Sequence, residues 1–305
     1  TAGILAASAA VSCGSRLFWS SVFELVAEHA SAEGLAGPER WFALLNVLRT
    51  VGIVAGGLIS GVALAAGSAA VDVALAAASG AGYLLAAGLL VAAGRHRGRR
   101  SATRRAGLRL ALRDPGFLRL LGLNVVFATA TLFAGLSLPT VVRSALHGPG
   151  WFTALLLVVN ALLVALLGRR GGLLAEHHRG RVLLMIAGVL WAAAFALVGA
   201  GILAVDAVAW SLGSLGAGVV LLSLAEVLHA PASTAWVARM APVSGRSARL
   251  ALFQYSFVAA ERIGPVLFAT CFSVWPPLPF FVVALAGLAA SALLAVGGRT
   301  RPSRA

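Results

Sequence analysis

The chain has 305 residues, of which 60% are hydrophobic and 11% charged, and its mean hydropathy is +0.95. Soluble domains carry about 25% charged residues, so there is too little polar surface to wet a globule of this length, and the composition specifies an all-α polytopic membrane protein. The net charge of +14 comes entirely from Arg, with no Lys, and it lies in short segments between apolar runs rather than on a face with groove-reading elements, which excludes nucleic-acid binding as a reading.

A helix needs about 20 apolar residues to cross roughly 30 Å of hydrocarbon. Nine spans are expected, at 3–27, 41–66, 70–93, 117–142, 150–168, 181–204, 207–236, 250–273 and 276–298. Gly and Pro punctuate the gaps, as at Gly37-Pro38, Gly148-Pro149, Gly171-Gly172 and Pro276-Pro277. The basic residues concentrate in 94–116, 169–181, 237–249 and the tail, while the loops between hold little charge. The bias of Arg towards cytoplasmic loops then places the 94–116 segment and the C-terminus inside and the N-terminus outside. Four regions follow: a partial N-terminal bundle of three helices at 1–93, a basic cytoplasmic linker at 94–116, a six-helix C-terminal bundle at 117–298, and a cytoplasmic tail at 299–305. Cys13 and Cys271 lie in apolar runs with no Cys or His spacing for a metal or redox site. The expectation is therefore no metal, no cofactor and no enzyme activity, and the lack of a phosphate loop excludes ATP-driven pumping by this chain.

Four stretches carry a family likeness. The first runs from Trp41 to Gly52, with Asn46 and Arg49, and continues through Gly56, Gly57 and Gly61. The second is Gly172 to Arg181, with Glu176, Gly180 and Arg181 arranged much as in a Gly-x-x-x-Asp-Arg-x-Gly-Arg loop, although Glu replaces Asp and one residue is added. The third is Ala225-Glu226, Pro231 and Ala241-Pro242 followed by Arg246, and the fourth is Ile263-Gly264-Pro265. From Arg40 onward the chain resembles the major facilitator superfamily, in particular its bacterial twelve-helix drug-efflux-like members. The resemblance implies that the nine spans correspond to helices four to twelve, that 94–116 joins two bundles, and that three helices are missing before Thr1. It also implies a bacterial inner-membrane protein, and a gating or packing role for Gly52, Gly56, Gly57, Gly264 and Pro265.

A charge at mid-bilayer costs about 2.5–3.5 kcal/mol on insertion scales and usually faces the bundle interior. Glu226 stands 13 residues before Arg239, and Glu261 stands 12 after Arg249, which puts both roughly 18–20 Å along their helices from the basic ends. Arg262 follows Glu261. His229 and Ser223 lie one turn either side of Glu226, and Ser233 shares that face. Arg16, Ser20 and Glu24 form a stripe on the first span, and Arg49 is expected to snorkel to the interface. Asn124, Asn160 and Gln254 are polar positions whose default is interhelical hydrogen bonding. The candidate substrate or proton pathway is Glu226, His229, Glu261, Arg262, Arg16 and Asn160, set against a static role in holding helices together. The function expected is secondary active transport, a proton-coupled efflux of a small organic compound by alternating access. The alternative is a truncated, non-transporting remnant or a membrane subunit that needs a partner chain.

Overall fold

The computed structural model describes residues 38–65, 68–94, 101–240 and 246–296, with scattered positions between 14 and 26. Arg16, Ser20 and Glu24 of the expected first span, and the tail at 299–305, lie outside the described residues. Among those described, the order is α1 (Pro38–Ala65), α2 (Ala69–Gly94), α3 (Ser101–Leu112), α4 (Pro115–Thr140) extended by a π-helical turn (Val141–Ala145), α5 (Gly150–His177), α6 (Gly180–Leu203), α7 (Val208–Met240), α8 (Arg246–Val274) and α9 (Leu278–Val296). No strand occurs among the described residues. Seven helical segments there are long and apolar enough to cross a membrane, at 73–92, 115–145, 151–177, 180–203, 208–240, 248–274 and 278–296. The chain is an all-α, multi-pass membrane protein.

Two local expectations are corrected. The basic 94–116 segment is not simply a loop, because Ser101–Leu112 forms a helix in which Ala, Leu and Arg, all good helix formers, predominate. The connection expected at 169–181 shrinks to His178 and Arg179, since α5 runs through Gly171-Gly172 to His177. The physical reason is packing. A Cβ at Gly171 would run into the backbone carbonyl of Val227 on α7. Pro231, four residues after Val227, has no N–H to give that carbonyl. The helix therefore keeps its glycine to let α5 seat on a carbonyl that α7 leaves open.

Helix association in lipid rests on close packing rather than on apolar burial. α6 packs most extensively on α7 and next on α9, while α4 packs on α8. At the α6–α9 crossing, Gly188 and Gly287 face each other's carbonyls, and Ser291 Oγ donates to Met185 O across the seam at 3.1 Å. In the core, Phe133 of α4 meets Phe195, Phe268 and Phe280 edge to face, at centroid distances of 5.7, 5.5 and 5.7 Å, the arrangement that aromatic quadrupoles favour. From the other side of the basic linker, α1 lies against α5 and α7, with Val47 against Gly168.

Candidate functional site

The site is built where α1 meets α7. α1 buries one stripe, Phe42, Ala43, Asn46 and Thr50, at helical spacing. Arg49 follows on the flank of that stripe and Glu226 comes from α7, with Nη2 of the arginine 3.9 Å from the carboxylate and the two side chains 26% and 15% exposed. Nη2 also donates to Asn46 Oδ1 at 2.9 Å, while Nε is buried without a partner. This corrects the expectation for Arg49. It does not snorkel outward, because the carboxylate at the depth of Glu226 gives it a counter-charge in the bundle.

The pair opens into a narrow cleft that is open at one side. Phe42, Leu45 and Asn46 line it from α1, and Trp19 comes from the N-terminal segment. The α7 side offers Glu226, His229, Ser233 and Thr234, with Thr131 from α4 and Phe257 from α8 completing the wall. The guanidinium of Arg49 lies 6.0 Å from the centroid of the Trp19 ring, at the outer limit of a cation–π contact.

Behind the cleft runs a buried polar chain. His229 Nε2 donates to Asn124 Oδ1 at 2.8 Å, Asn124 Nδ2 donates to Ser256 Oγ at 2.7 Å, and Ser256 Oγ donates to Phe253 O at 2.6 Å. The direction follows from the anchor. Ser256 gives its proton to a backbone carbonyl, so Asn124 must present its amide N–H₂ to Ser256 and its oxygen to the imidazole. The His229 ring is held between Trp191 and Phe127, at 5.0 and 5.6 Å between centroids. The network ties α4, α7 and α8 together at the level of the cleft.

The other candidates are not gathered here. Asn160 Nδ2 donates to Ser223 Oγ at 3.0 Å, an α5–α7 link outside the cleft. Glu261, expected to face the bundle interior, is exposed, and so is its neighbour Arg262. The packing face of α8 is Leu250, Phe253, Ser256, Ala260 and Phe268, turned towards the core, and helical geometry sends 261 and 262 the other way. Gly52 and Gly56 stand on the exposed side of α1, and Gly264 is buried, with nothing within 4 Å of a Cβ at any of the three. Gly57 lies in α1, and Pro265 is exposed within α8. In the loop-like stretch, Gly172 is buried and Gly180 opens α6, where Gly180 faces Ala232 O. Glu176 is half-buried, with Oε1 unpartnered. Arg181 donates to Ala295 O and Arg119 to Leu293 O, so two arginines cap the C-terminal carbonyls of α9, where a cation suits the helix dipole.

Sequence reasoning missed Arg119 and the aromatic and hydroxyl walls of the cleft. It also missed the ion pair of Arg249 with Asp114, in which Nη1 of the arginine lies 2.8 Å from Oδ2 of the carboxylate. Asp114 caps α4, accepting from Gly116 N and Phe117 N at 2.9 and 3.1 Å. An Asp-Pro before an apolar run signalled that cap; nothing local signalled its distant arginine.

No family model matches this chain, and no curated protein matches it significantly.

Proposed function

We propose that the chain is a secondary active transporter of the major facilitator kind in a bacterial inner membrane, exporting a small organic compound by alternating access with proton entry. The observation that carries this reading is the Arg49–Glu226 pair across the α1–α7 seam. One partner comes from the segment before the basic linker and the other from the bundle after it, so a rocking of the two parts would open or close the cleft. Charges inside a membrane bundle are expensive and mark substrate and proton pathways. Glu226 is the carboxylate that takes and releases the proton, and Arg49 is the charge it faces in the proton's absence.

Reconstitution tests it. In proteoliposomes with an imposed pH gradient, a transported compound is expected to collapse the gradient, read by a pH-sensitive dye. Glu226→Gln is expected to abolish that response while leaving the protein monodisperse. A response unchanged in Glu226→Gln would remove the proton role, and no response to any of a broad compound panel would remove the transporter reading.

A subunit that pairs with a partner chain is the second reading, favoured by a separate observation. None of the 73–92 window of α2 is buried, and α2 packs chiefly on α1, while Arg262 stands exposed in the span of α8. Native mass spectrometry from membranes is expected to show a hetero-complex under this reading and the single chain under the first.

A further inference from the structure

The cleft is polarised in its hydrogen-bond chemistry as well as its charge, and this goes one step beyond a generic transport site. On the α1 side the groups are donors. Arg49 has a buried Nε with no partner, and its Nη2 occupies the oxygen of Asn46, which leaves the Asn46 amide N–H₂ as the group that side chain can offer. On the far side the groups are acceptors. Thr131 gives its proton to Phe127 O at 3.1 Å, Ser233 to Ala230 O at 3.4 Å, and Thr234 to Ala230 O at 2.9 Å. Each hydroxyl therefore turns lone pairs, not a proton, towards any ligand. His229 spends its Nε2 proton on Asn124, so the neutral ring has only the Nδ1 lone pair left. Glu226 adds a carboxylate to the same side.

The two charges are close but not joined. At 3.9 Å the arginine and glutamate are beyond hydrogen-bond distance, each keeping capacity for a further partner. A ligand with one charge would be attracted by one of the pair and repelled by the other across a similar distance. A ligand with both charges satisfies both. Phe42 and Phe257 supply apolar walls, and Trp19 adds a third ring.

We propose that the ligand of this cleft is a small zwitterion of the α-amino-acid type with an apolar or aromatic side chain, its carboxylate on Arg49 and Asn46 and its ammonium on Glu226 and the hydroxyls of α4 and α7. This rests on the transport reading for its biological sense, though not for its chemistry.

The test uses the whole chain in lipid nanodiscs and three probes of matched shape. L-Phenylalanine carries both charges, 2-phenylethylamine only the ammonium, and 3-phenylpropionate only the carboxylate. By titration calorimetry L-phenylalanine is expected to bind at least about tenfold tighter than either analogue. Glu226→Gln is expected to erase the advantage over 3-phenylpropionate, and Arg49→Gln the advantage over 2-phenylethylamine. Equal or tighter binding of either analogue overturns the proposal, as does no binding of any probe; both readouts use the unaltered protein and survive a variant that fails to fold. Flux in proteoliposomes separates this from the reading it rests on. L-Phenylalanine bound but not moved keeps the ligand class and removes transport. 2-Phenylethylamine moved with L-phenylalanine unbound keeps transport and overturns the zwitterion.

Discussion

Asn124 holds three helices together through two hydrogen bonds, one to His229 and one to Ser256. Replacing it with Leu keeps the volume near but leaves the imidazole N–H with no acceptor in an apolar setting, and the unmet donor costs about 1–2 kcal/mol. Asn124→Leu is expected to lower the thermal midpoint in detergent. A second buried polar group, Arg249, is only 6% exposed along its side chain and stacks 5.3 Å over Phe117. Its partner Asp114 also caps α4, so the two roles can be separated. Asp114→Asn keeps the cap and drops the ion pair; Asp114→Ala drops both. Asp114 is 30% exposed along its side chain, so breaking the pair from its side costs less than the roughly 3–5 kcal/mol of a fully buried pair, and losing a cap costs about 1. Thermal unfolding of the two variants should therefore show a loss in each and a further loss in the alanine. At this scale the sequence showed which side chains are polar within apolar runs, and Asn124, Glu226 and His229 were legible as such. Their partners were not, because hydrogen bonds between helices leave no spacing along the chain.

At the level of elements, the spans were legible from apolar length alone, and the departures come from packing. A double glycine usually ends a helix, yet Gly171-Gly172 lies inside α5 because α7 comes so near at Val227. Gly171→Ala is expected to force α5 away from α7 and cost about 1–3 kcal/mol, seen as a lower thermal midpoint and weaker monodisperse yield. Gly213→Ala in α7, where nothing stands within 4 Å of the new Cβ, is expected to be neutral or to stabilise slightly through helix propensity. Equal losses in both would mean that the seam does not depend on the glycine. α8 gives the complementary lesson. Glu261 and Ser256 are both polar residues of one span, but only Ser256 lies on the face that α4 covers. The helix carries no sustained one-sided apolar stripe, since its lipid-facing and core-facing sides are both apolar, and periodicity is then silent about which side is inward.

For the whole molecule, orientation follows from charge and architecture from contact. With 18 of the 24 Arg in the segments expected to be cytoplasmic, a reporter protein fused after Ala305 is expected to fluoresce as a cytoplasmic fusion and an alkaline phosphatase fused there to stay inactive. An active phosphatase would invert the topology. Composition determined that this chain lives in a bilayer as a set of helices, because the cost of placing backbone and charge in hydrocarbon is summed residue by residue and needs no partner. Only the tertiary structure decided that Arg49 faces Glu226 rather than the interface, that Glu261 and Arg262 turn away from the core, and that His229 leans on Asn124. Those outcomes depend on which faces of distant helices meet, and in a lipid-solvated bundle that choice is made by glycine seams, ring packing and a few hydrogen bonds, none of which is additive along the chain.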